Sequence, residues 1–169
     1  MLDPKLEAAL NDQLGGELYS SHLYLSMSAY CESINMAGAA HWFRLQAEEE
    51  REHAMKFSVH IVDRGGRVTL GAIEAPPTDF GSVLGAFERA LLAERDVSAA
   101  IDRLYAMAVA QGDYASQAFL QWFVAEQVEE EKQTDDLVQI LTMIGADPTA
   151  VFMLDRELGT SQPEPAAEA

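Results

Sequence analysis

The segment 83–108, VLGAFERALLAERDVSAAIDRLYAMA, decides the fold. Its stripe reads Val83, Phe87, Ala90, Glu94, Val97, Ile101, Leu104, Ala108, in alternating steps of four and three residues. That is the spacing of a helical face turned toward a bundle core. One carboxylate, Glu94, sits alone in the middle of the apolar stripe. No strand-like alternation competes with this pattern elsewhere in the chain.

The same spacing recurs in three other segments. One reads Leu6, Leu10, Gln13, Glu17, Ser20, Tyr24, Met27, Cys31. A second reads Ala39, Phe43, Gln46, Glu50, His53, Phe57. A third reads Leu120, Phe123, Gln127, Glu130, Thr134, Leu137, Leu141, Ile144. Each predicted helix therefore carries a carboxylate near the middle of its core face. The expected fold is all-α, a four-helix bundle.

Capping and breaking residues set the boundaries. Asp3-Pro4 offers a capping carboxylate and then a proline at the first helical position, so helix 1 runs from there to about Ser33. Asn35 is expected to cap helix 2, which ends before Gly65-Gly66. Helix 3 spans about Ser82 to Gln111 and stops at Gly112; helix 4 spans about Asp113 to Ile144 and stops at Gly145. Asp147-Pro148 opens a short fifth helix. Short turns make the pairs 1–2 and 3–4 antiparallel. The Gly- and Pro-rich segment 65–81 reaches ~55 Å when extended, against ~42 Å for a helix of about 28 residues. It is long enough to cross the bundle and make helices 2 and 3 parallel; a long loop is the alternative. Residues 1–160 are expected to form one domain, and 161–169 a disordered tail.

The positions of the acids carry the chemistry. Glu17 and Glu50 are 33 residues apart, as are Glu94 and Gln127. In each half a lone glutamate precedes an i, i+3 pair, Glu50 with His53 and then Gln127 with Glu130, and both members of such a pair face one site. In antiparallel hairpins these depths bring all four helices' polar residues to one level. An unpaired buried carboxylate costs several kcal/mol, and four together repel one another. No lysine or arginine shares the seams between them. Two divalent cations would balance Glu17, Glu50, Glu94 and Glu130, and oxygen ligands with one imidazole suit iron, manganese or zinc. Glu94 shows no partner on this reading, so leucine in its place is expected to leave the metal-free bundle at least as stable.

Composition agrees. The 169 residues carry a formal net charge of −17, which disfavours nucleic acid and anionic lipid as partners and suits a handler of cations. No apolar run is long enough for a membrane span. Cys31 is the single cysteine, which excludes an internal disulfide and CxxC motifs; it reads as a small buried thiol. The N-terminus lacks a signal-like pattern, so the expected compartment is the cytoplasm.

The stretches Glu17-Leu18-Tyr19-Ser20-Ser21, Glu48 to His53, Glu94, and Gln121-Trp122-Phe123 followed by Glu126-Gln127-Val128-Glu129-Glu130-Glu131 resemble the bacterial non-haem ferritins. The resemblance extends over about residues 1–160. It implies a ferritin-like bundle with a long crossover between helices 2 and 3, and an iron-storage protein that oxidises Fe(II) with O2 or H2O2. By position, Glu17, Glu50 and His53 would bind the first iron, Glu50 would bridge, and Glu94 and Glu130 would bind the second. Gln127 would hydrogen-bond a ligand or a bridging oxygen. Glu49, Glu126 and Glu129, with Glu130, would form a third iron site. Tyr24, alone or with Trp122, would be an electron donor. The resemblance further implies a hollow shell of 24 subunits with the fifth helix lining a four-fold axis. Bacterioferritins have histidine where Glu130 stands and a haem-binding methionine near Glu52; neither is present, so no haem is expected.

Plainer readings stand beside these. Glu48 reads as solvated surface, and Glu49, Glu126 and Glu129 read either as a third site or as an acidic face. Tyr24 reads equally well as a core aromatic. His22, His41 and His60 read as structural. A di-iron oxidase for a small molecule and a zinc-binding bundle are the competing functions.

Overall fold

The computed structural model describes residues 2–163. It contains five helices: α1 (Pro4–Ser33), α2 (Ala37–Asp63), α3 (Val83–Gln111), α4 (Tyr114–Ile144) and α5 (Pro148–Leu158). Asp3, Ser82, Asp113 and Asp147 each cap the helix that follows by accepting from a backbone N–H of its first turn. Gly112 ends α3 in the left-handed region, at φ 64°. Residues 164–169 of the expected tail lie outside the described residues.

Asn35 does not cap α2. It lies in the left-handed region at φ 60°, and Met36 takes the N-cap position with no side-chain bond. The missing acceptor comes from α5: Asp155 Oδ1 accepts from Ala39 N at 2.9 Å. The two helices meet closely because Gly38 lacks a side chain. A Cβ there would lie 1.6 Å from the Asp155 carbonyl oxygen.

The segment 64–82 is a crossover, and its hydrogen bonds trace the path. Glu7 Oε1 accepts from Arg67 N, Asn11 Oδ1 accepts from Thr69 N, and Ser26 Oγ donates to the Pro77 carbonyl. The strap thus climbs α1 from its first turns to its last third. Phe80 then packs edge-on against Tyr30. α3 therefore starts at the end where α2 starts, and the two run parallel.

The core divides in two. One apolar cluster includes Tyr24, Trp42, Phe43, Phe87 and the α5 residues Leu154 and Leu158. The other includes Leu6, Leu10, Phe57, Ile101 and Phe123. Each large side chain so buried contributes ~1.5–3 kcal/mol. Between the clusters lie the buried polar residues Glu17, Glu50, His53, Glu94, Gln127 and Glu130. The seam positions are buried with the exceptions of Val83, Leu137 and Ile144, which are half-buried. On α4, Val138 is the buried residue, while Leu137 turns toward α5. A straight helix drifts from a strict seven-residue repeat, and the third helical partner at this end captures the displaced face.

Candidate metal centre

All four long helices bring acids into the polar layer. Glu17, Glu50 and His53 offer ligand atoms within 4.8 Å of one another. So do Glu49, His53, Glu126 and Glu130. His53 belongs to both groups, so an inner and an outer cluster are contiguous. His53 Nδ1 lies 3.6 Å from Glu50 Oε2, and the ring is flanked edge-on by Trp122 and Phe123. Glu129 is exposed and outside both groups.

Glu94 is buried at the same level but has partners of its own. The Tyr24 hydroxyl donates to Oε1, and Gln127 Nε2 donates to Oε2 at 3.2 Å. The expectation that Glu94 lacks a partner is therefore corrected. Tyr24 is buried against Trp42 and Phe43, one turn above Ser20 on the α1 seam. Its contact with Glu94 spans 70 positions, too far for a local pattern to signal.

Burial sets the electrostatics. Glu17 is 0% exposed, and desolvation lifts its carboxyl to about 7 against the bonds from Gln13 and Glu50, which favour the charge. Desolvation raises Glu50 further, with the charges of Glu94, Glu17 and Glu130 acting in the same direction. Glu94 is raised by burial and held back by the Tyr24 and Gln127 bonds. Burial, then the Lys56 charge, push His53 down to about 3, so its imidazole is neutral with a free lone pair. Tyr24 is raised well above the usual phenol by burial and the charges of Glu94, Glu130 and Glu50.

Glu17 Oε2 and Glu50 Oε2 are buried and accept no bond from a protein donor. The two carboxyls lie close enough to share a proton. Two buried carboxyls this close need something positive between them, a proton or a cation. The donor set of carboxylate oxygens and one neutral imidazole fits a first-row divalent ion.

Several supporting residues carried no functional reading in the sequence. Gln13 Nε2 donates to Glu17 Oε1 at 3.0 Å, and Gln46 Nε2 donates to Glu49 Oε2 at 3.0 Å. Each lies three or four residues before its partner, so the i, i+3/i+4 rule could have found them. Lys56 Nζ lies 3.5 Å from the centroid of the Trp122 ring. That contact joins α2 to α4 and has no local signal.

The remaining candidates lie elsewhere. His60 Nε2 meets Ser116 Oγ at 3.0 Å while its ring stacks on Phe119, and His41 Nε2 meets the Ser161 carbonyl at 3.1 Å. Cys31 is buried, and burial pushes its thiol up to about 12. No described helix is long and apolar enough to cross a membrane.

Comparison with known proteins agrees with this architecture. The Ferritin-like domain family matches residues 7–144. A bacterial non-heme ferritin of Staphylococcus aureus is 41% identical over 160 residues, covering 95% of this chain and 96% of the relative. One from Staphylococcus epidermidis is 40% identical over 158 residues, covering 94% and 95%. The open pore ferritin of Archaeoglobus fulgidus superposes with a TM-score of 0.95 at 45% identity, over 96% of this chain and 100% of that one. A humanized archaeal ferritin superposes with a TM-score of 0.96 at 43% identity, over 98% and 100%.

Proposed function

Because this chain belongs to the ferritin-like domain family, we propose that it is an iron-storage subunit that oxidises Fe(II) at the inner cluster and passes the product to a mineral. The observation that supports this is the pair of buried, donorless oxygens on Glu17 and Glu50 beside a neutral His53. Glu17, Glu50 and His53 hold one Fe(II), Glu50 bridges, and Glu94 and Glu130 hold the second. Binding displaces the protons that the raised carboxyls carry. The amide of Gln127 keeps the Glu94 carboxylate turned toward the centre.

Each Fe(II) loses one electron. O2 takes two electrons and two protons and leaves as H2O2; H2O2 as oxidant takes the same and leaves as two waters. The carboxylates stabilise the added positive charge of the ferric product. With Tyr24 giving a third electron, its proton passing to Glu94 along their hydrogen bond, and a third Fe(II) giving the fourth, O2 would take four electrons and four protons and leave as two waters. Glu49, Glu126 and Glu130 take a third iron, and exposed Glu129 adds an acid for it. Trp122, edge-on to His53, is the second aromatic beside the centre.

Storage needs a closed shell. Phe152 and Met153 on α5 and Met143 near the end of α4 are 59%, 63% and 81% exposed, an apolar surface that assembly would cover. A shell of 24 subunits in the cytoplasm, without haem, is the full reading. Aerobic Fe(II) loading tests it: hundreds of irons per assembly are expected. About two per subunit would make the protein an oxidase without storage. Light scattering that returns a stable monomer or dimer would overturn the shell.

A further inference from the structure

Lys56 lies one turn beyond His53 on α2, with its ammonium over the face of Trp122 at 3.5 Å from the ring centroid. The indole is itself packed edge-on against His53 and Phe123. The side chain is half-buried, and the neighbouring charges that act on it are Glu126, Glu52 and Glu49. Two of those three, Glu126 and Glu49, belong with His53 and Glu130 to the outer cluster. A cation therefore already stands beside the acids that a third metal ion would use, and a ring quadrupole helps to hold it there.

We propose that Lys56 is a tethered counter-cation of the outer cluster, parked on Trp122, which competes with an incoming divalent ion and leaves that position weaker than the inner one. This rests on the reading of Glu49, Glu126 and Glu130 as a third iron position. The ammonium offsets part of the acids' charge when the cluster is empty. A divalent ion bound among the same acids repels the ammonium, which swings away from the indole on its four-carbon stem. The device favours transient over permanent occupation of the outer cluster, which suits a position that iron passes through. Lys56 acts through the acids and the indole, so it is a positioning residue.

The test uses the assembled protein under anaerobic conditions, with Zn(II) as a redox-silent probe. Trp42 and Trp122 are the two tryptophans, so Trp42→Phe leaves Trp122 as the reporter. In that background Lys56→Met keeps an apolar stem over the ring and removes the charge, and Lys56→Arg keeps the charge. Calorimetric titration of the Met variant should show the last equivalent binding roughly 2–5-fold tighter, as expected for loss of an ion competing at a partly exposed site. The first equivalents should be unchanged. Trp122 emission should shift as the last equivalent binds when Lys56 is present, and should not shift in the Met variant. Arginine should restore the parent behaviour on both readouts. Three equivalents with unchanged or weaker affinity for the last in the Met variant would overturn the role of Lys56 alone. A titration ending at two equivalents in every variant would remove the third position and the proposal with it.

Discussion

Leucine in place of Glu94 tests the polar layer most directly, because two opposing contributions of similar size meet there. The substitution removes a desolvated carboxylate and adds an apolar side chain, with ~1.5–3 kcal/mol available if it fits. It also strips the Tyr24 hydroxyl of its acceptor. Tyr24 is 1% exposed, and an orphaned buried donor costs ~1–3 kcal/mol. Gln127 is less affected, since Nε2 keeps the Glu94 backbone carbonyl at 3.3 Å and Ser98 Oγ at 3.4 Å. Without metal, Glu94→Leu alone should therefore be close to neutral. In a Tyr24→Phe background no hydroxyl is left to orphan, and the same substitution should stabilise. The double-mutant cycle should return a coupling of ~1–3 kcal/mol, or roughly 2–12 °C in Tm for a chain of this size. Scanning calorimetry of the metal-free variants at one pH and protein concentration measures it. With saturating Zn(II) the proteins that keep Glu94 should be the more stable in either background, since they alone keep the full ligand set. A coupling below ~0.5 kcal/mol would refute the Tyr24–Glu94 bond as an energetic link. A variant that keeps fast Fe(II) oxidation would remove Glu94 from the centre.

The raised carboxyls of Glu17, Glu50 and Glu94 bind more protons in the folded than in the unfolded chain, so their contribution is full below pH 4.5 and falls as the pH rises, that of Glu17 being lost through about 7. Denaturant melts of metal-free protein should show stability falling across that window, with the slope reduced by Glu17→Gln; a slope unchanged by Glu17→Gln would contradict the assignment. Asp113 caps α4 and forms a two-bonded ion pair with Arg64 at 2.8 and 3.1 Å, so Asp113→Ala should cost about 2–3 kcal/mol, the cap and the charged bonds together. Equilibrium unfolding decides this, and a loss under ~0.5 kcal/mol would show the pair to be solvent-screened. Gly38→Ala cannot keep α5 where it is, with a Cβ 1.6 Å from the Asp155 carbonyl oxygen. Limited proteolysis should cut near residue 147 much faster in that variant, and an unchanged digestion rate would mean that α5 is not held by this contact.

What the sequence determined was everything that follows from one helix at a time. The 3.6-residue period placed Glu17, Glu50, Glu94 and Glu130 on core faces, and Asp3, Ser82, Asp113 and Asp147 marked the helix starts, because capping and amphipathic burial are local. The common depth of the acids was also legible, since short turns between long helices force antiparallel hairpins. The direction of the crossover was not legible. Chain length permits both a strap and a loop, and only the bonds from Glu7, Asn11 and Ser26 to residues 67–77 select the strap. The capping of α2 was misread at Asn35 because its acceptor, Asp155, lies 116 positions away from Ala39. The same holds for the partners of Glu94, for His53 standing in two clusters, and for Lys56 over Trp122. A helical pattern records which face is buried, but the energy of a buried charge depends on which groups from other helices reach it, and that is settled only when all the helices pack together.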